Sequence, residues 1–122
     1  MDKFARLSLL ISLVAVALGP IPVCAKGADV FASECAECHS IKEGKNKKGP
    51  SLFAIVGRKA GTIQDFKYSD ALRDSGIVWT PEKLQAYIAN PKKTVPGGKM
   101  KYDGLGSDAE MAELLQYLGM LR

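Results

Sequence analysis

The 122-residue chain has one histidine, one tryptophan and three cysteines, and only 7% of its residues are aromatic. Each scarcity narrows what the chain can do. With His39 as the sole imidazole, no site within one molecule can rest on two histidines. The lysine clusters at Lys42, Lys45, Lys47 and Lys48 and at Lys92, Lys93, Lys99 and Lys101 have no aromatics interleaved with them. A platform for stacking nucleic-acid bases needs those aromatics, so no nucleic-acid partner is expected. Repeats, low-complexity stretches and any sign of a second domain are also missing. The longest apolar run, residues 7–18, is short for a bilayer and is soon followed by Pro20 and Pro22, so stable membrane insertion is not expected.

That run has a different reading. Lys3 and Arg6 precede it, and Gly19-Pro20-Ile21-Pro22-Val23-Cys24-Ala25 follows, with small residues at 23 and 25. This is the order of a secretory signal peptide. An uncleaved anchor and lipidation at Cys24 are the weaker alternatives, the latter because Val23 is a poor residue before a lipidated cysteine. The expected division is a leader over 1–25, removed on export to the periplasm, and one domain over 26–122. Losing Lys3, Arg6 and Asp2 takes one unit from the whole-chain net charge of +4. A domain this small has a marginal core by itself.

Cys35-Ala36-Glu37-Cys38-His39 is the most informative segment. Two thiols three positions apart can each add to a vinyl group of haem, leaving the adjacent histidine beneath the ring to ligate iron. A redox C-x-x-C belongs at the start of a helix after a strand, and no strand precedes Cys35. Zinc wants about four ligands on a tetrahedron, and neighbours at 38 and 39 reach one ion poorly. In an exported protein a Cys35–Cys38 disulfide is also conceivable, but His39 favours thioether linkage.

The spacing predicts four helical segments: residues 28–39, ending in the pentad; 69–75, stopped by Gly76; one begun by Thr80 and Pro81 and ended by Asn90-Pro91; and one begun by the capping box Ser107-Asp108-Ala109-Glu110. In the last, Met111, Leu114, Leu115 and Leu118 share a face. Residues 41–67 and 91–106 lack periodicity. So much irregular chain in a small domain is unusual unless loops pack on a flat prosthetic group. The fold class expected is all-α, three to four helices and long loops around one covalent haem.

The sixth position on iron is left to a methionine, a lysine, or water. Met111 falls on a helical apolar face and suits core filling; Met120 is near the end; Met100 lies in the turn-rich Val95-Pro96-Gly97-Gly98-Lys99-Met100.

Over residues 27–118 the chain resembles the class I c-type cytochromes, both the mitochondrial kind and especially the short bacterial c2 kind. The resemblance is carried by the pentad, Gly49-Pro50, Gly57-Arg58-Lys59-Ala60-Gly61, Trp79, Asn90-Pro91-Lys92-Lys93 and Pro96-Gly97-Gly98-Lys99-Met100. It implies one haem c bound through Cys35 and Cys38, with His39 and Met100 as axial ligands. It further implies that the Pro50 carbonyl orients His39. Arg58, Tyr68 and Trp79 would surround a haem propionate, Tyr87 would sit near the methionine sulfur, and Gly27 and Phe31 would cross the last helix at Leu114 and Tyr117. Two positions depart from the pattern: Gly98 stands where a threonine is usual in the mitochondrial members, and Leu72 where an asparagine often orders a water.

A closed His/Met site has no position for a substrate, so the expected activity is single-electron carriage rather than enzymatic catalysis. The lysines would steer a soluble, monomeric carrier to acidic docking surfaces on a quinol–cytochrome c oxidoreductase, a terminal oxidase, a reaction centre or a periplasmic dehydrogenase. A peroxidase-like enzyme with an open sixth site and a small zinc module are the competing classes.

Overall fold

Caps set the helix starts. Ser69, Thr80, Asn90 and Ser107 each take an extended or irregular backbone and accept a hydrogen bond from the main-chain N–H three residues on. The computed structural model describes residues 12–19 and 23–122, with the backbone alone for Val23 and Cys24. Its helices are α1 (Val23–Glu34), α2 (Asp70–Arg73), α3 (Pro81–Ala89), α4 (Pro91–Thr94) and α5 (Asp108–Gly119). No strand is formed among the described residues, beyond an isolated antiparallel bridge between Lys59 and Val78. The fold is all-α, as expected.

Several details differ from the sequence reading, α1 beginning at Val23 rather than near Ala28. The first helix stops at Glu34 rather than running through the pentad. The Phe31 carbonyl accepts from both Cys35 and Ala36 (2.9 Å each), which closes the ladder, and Cys35 then opens a new turn by accepting from His39 N at 2.9 Å. The second helix is shorter than 69–75, with Ser69 outside as its cap. α4 was not foreseen: Asn90 ends α3 and, through its side chain, starts α4 by accepting from Lys93 N at 3.1 Å.

α1 crosses α5, and Gly27 makes the crossing possible. A Cβ there would collide with the Glu113 carbonyl and lie 2.6 Å from Tyr117 Cβ. One turn on, the Phe31 and Tyr117 rings meet at 5.8 Å. Met111, Leu114 and Leu118 of α5 are buried at this contact's centre, Leu114 completely. α3 adds Leu84 and Tyr87. The rest of the core comes from segments outside the helices: Ile55, Ala60, Trp79, Val95 and Leu105. Loops therefore bury side chains as helices do, while their shape comes from hydrogen bonds.

The expected leader lies largely outside the described residues. Residues 12–19 have no regular structure and leave Leu13, Val14, Val16 and Leu18 exposed, and α1 begins at Val23, ahead of the expected cut. Among the described residues no helix is long and apolar enough to cross a membrane.

Candidate functional site

The pentad sits immediately after the C-terminal end of α1, where the helix dipole presents its negative pole. Cys35 and Cys38 are free thiols and half-buried. Burial first, then the neighbouring Glu34 and Cys38, push the Cys35 thiol up to about 11. A redox-active C-x-x-C does the opposite, holding a low-pKa thiolate at a helix N-terminus. Position and protonation both argue against thiol–disulfide exchange.

His39 is held from one side. Its Nδ1 lies 2.7 Å from the Pro50 carbonyl, which can only accept, so Nδ1 carries the proton and Nε2 is left with a free lone pair. Burial keeps the imidazole's pKa below the ordinary histidine value, against the raising effect of the Pro50 bond. It is thus neutral at neutral pH, the form that ligates a metal. The loop that returns Pro50 to His39 is closed by Gly49 N to the Cys38 carbonyl (2.7 Å) and Leu52 N to the Ser40 carbonyl (2.9 Å). The buried Ser51 donates to the Lys42 carbonyl at 2.6 Å, and its N–H bonds Asn46 Oδ1 at 2.9 Å. Gly49 lies flat against the ring. A Cβ there would stand 2.7 Å from His39 Nδ1 and 2.9 Å from Nε2.

Among the three thioethers of residues 26–122, Met111 is buried on α5 and Met120 is 58% exposed. Met120 only caps the end of α5, whereas Met100 lies in the loop between α4 and α5, half-buried against the core. Gly98, two residues before it, turns the chain by bonding the Val95 carbonyl at 3.1 Å, and Leu72 packs partly buried on the core.

Arg58 is half-buried and donates to two main-chain carbonyls, Ser51 at 2.8 Å and Phe53. Among the described residues no carboxylate pairs with it. Trp79 is tied to it through the backbone, its N–H donating to the Arg58 carbonyl at 2.8 Å while its own carbonyl accepts from Gly57. Trp79 is itself in the core, 5.0 Å from the Tyr87 ring. Burial raises the Tyr87 hydroxyl's pKa. Tyr68 accepts from Ile63 N at 3.2 Å. Ile63 lines both of two open cavities: one of about 670 Å³ that also includes Tyr68 and Lys99, and one of about 550 Å³ that includes Arg58.

These donors fit a haem. Among the described residues no three His, Cys, Asp or Glu side chains form a metal set. The lone His39 imidazole cannot satisfy an iron ion by itself; a macrocycle that brings its own four nitrogens would supply most of the set. The unpaired, half-buried guanidinium suits a carboxylate-bearing ligand.

A family model described as cytochrome c matches residues 24–122. The chain belongs to the cytochrome c family. It is similar to the cytochrome c of Theileria annulata, 48% identical over 95 residues (77% of this chain and 82% of that protein). It is also similar to those of Gibberella zeae, 43% over 94 residues (76% and 89%), and Trypanosoma brucei brucei, 51% over 79 residues (65% and 85%). As a cytochrome c it is a haem electron carrier that binds one haem c covalently, with Cys35 and Cys38 at the attachment spacing.

The sequence reading missed three contacts: Gly49 on His39, the Arg58 carbonyl bonds, and a hydrogen bond between Tyr102 and Glu34. Gly49-Pro50 was the available signal for the first. The others join distant or featureless positions and leave no local trace.

Proposed function

We propose that this cytochrome c is an exported, periplasmic single-electron carrier whose iron is closed by His39 and Met100. The bond from His39 Nδ1 to the Pro50 carbonyl carries the reading, because it commits Nε2 to ligation. Haem supplies a one-electron Fe(III)/Fe(II) couple. Cys35 and Cys38 hold it through thioethers, and the soft Met100 sulfur would favour the reduced state. Arg58, Tyr68 and Trp79 would form the propionate environment, where the guanidinium would offset a half-buried carboxylate, and Tyr87 would sit near the Met100 sulfur. With both axial positions taken from the protein, nothing remains for a substrate, which separates this reading from a peroxidase.

The exposed lysines support docking to acidic surfaces of redox complexes. Lys42, Lys45, Lys47 and Lys48 lie beside the pentad, and Lys99 and Lys101 flank Met100. The basic start, apolar run and small residues at 23 and 25 support export. The test is the near-infrared Fe(III)–sulfur band of the oxidised protein. It is expected in the native chain and lost in Met100→Ala; a high-spin native spectrum would refute the closed site. Mass spectrometry of protein recovered from a periplasmic fraction should find a chain starting near Lys26 with one haem added. A full-length cytoplasmic chain would refute export.

A further inference from the structure

The segment that carries Met100 is thinly held. Gly98 N bonds the Val95 carbonyl on one side and Leu105 N bonds the Ile88 carbonyl at 3.0 Å on the other. Among the described residues, one hydrogen bond reaches the six residues between: the Tyr102 hydroxyl donates to Glu34 Oε2 at 2.6 Å. It joins positions 68 apart in the chain. Both ends are telling. Glu34 is the last residue of α1 and precedes Cys35, which the covalent haem anchors. Tyr102 follows Met100 by two residues and rests its ring on the core. The distance is that of a charge-assisted O–H···O⁻ bond.

We propose that Tyr102 and Glu34 form a latch, two positioning residues that clamp the Met100 segment to the end of α1 and set how readily the sixth iron position opens. The inference rests on Met100 as axial ligand. Without the latch, residues 99–104 have no hydrogen bond to the other described residues, so the segment departs as a unit about its two anchors. The core contacts of Tyr102 survive loss of the hydroxyl, so the latch can be removed without disturbing the packing.

The experiment uses the ferric holoprotein with imidazole as the competing ligand, followed through loss of the Fe(III)–sulfur band. Tyr102→Phe should raise the apparent imidazole affinity about fivefold, equivalent to about 1 kcal/mol, as befits one partly exposed hydrogen bond. Glu34→Ala should do the same, the double variant should do no more than either, and Glu34→Gln, which keeps an acceptor, should recover part of the effect. Amide exchange at 99–104 should quicken in Tyr102→Phe while that of α5 does not. Unchanged imidazole affinity in Tyr102→Phe overturns the latch, as do additive effects of the two changes. A lowered melting temperature without easier methionine displacement overturns it too, showing a merely structural bond. A native protein lacking the sulfur band overturns the axial reading itself, a failure visible before any variant is made.

Discussion

The crossing of α1 with α5 and the loops that carry His39 and Met100 solve the same problem, order in a small domain, by different physics. At the crossing, close approach does the holding: Gly27 has no side chain, Leu114 is fully buried, and two aromatic rings meet. In the loops, main-chain polar groups find partners one at a time, as at Ser51, Asn46 and Arg58. Damage at the crossing should therefore cost stability and spare the spectrum. Damage in the loops should show first in the spectrum and the reduction potential.

The largest effect is expected at the crossing. Leu114→Ala leaves a cavity where the side chain has no exposure and should cost about 2–5 kcal/mol, read as a lower midpoint in guanidinium unfolding. The remaining folded protein should keep its Fe(III)–sulfur band. Loss of that band at concentrations where the protein is still folded would show that the two regions are not separable.

Gly49→Ala is the counterpart in the loops. The added Cβ would meet the His39 ring, so either the imidazole tilts or the 40–52 loop moves. Overpacking of this kind costs about 1–3 kcal/mol. Here the ferric spectrum and the reduction potential should change more than the unfolding midpoint does. A variant with an unaltered spectrum would mean that the ring is not held by this loop.

How far the sequence could be read follows the same division. Thr80-Pro81 and Ser107 with Glu110 marked helix starts that are found there, because a cap is a contact between residues three apart. The apolar face of Met111, Leu114 and Leu118 was legible for the same local reason. The end of α1 was not, since nothing at Glu34 announces that Phe31 will accept twice. α4 is too short to show a period. At the site, the residue types and the Pro50 contact were legible, whereas Arg58's carbonyl partners and the Tyr102–Glu34 bond arise only when distant loops meet.

A cap belongs to the first kind of order and gives the next effect in size. Ser107 Oγ accepts from Glu110 N at 3.2 Å. Ser107→Ala should lower stability by about 1 kcal/mol in thermal unfolding, with the spectrum and partner rates unchanged. A shift in the reduction potential would show that α5's first turn reaches the haem site.

The smallest expected effect on the fold comes from the surface, and it separates holding from steering. Lys48 pairs with Glu37 at 2.9 Å, both side chains well exposed, whereas Lys99, beside Met100, has no ion pair among the described residues. Exposed pairs contribute little, so neither Lys48→Gln nor Lys99→Gln should move the melting temperature measurably. Their effects on docking should differ. Glu37 offsets the field of Lys48 at the distances where a partner first feels it, and Lys99 acts unopposed. Lys99→Gln should therefore slow oxidation by an acidic redox partner by on the order of twofold at low salt, and Lys48→Gln by less. Both differences should fade as ionic strength rises and the Debye length falls to about 10 Å or below. Equal slowing by the two substitutions would show that a partner engages Lys48 after breaking its pair with Glu37, and would extend the docking surface from the Met100 loop to the pentad.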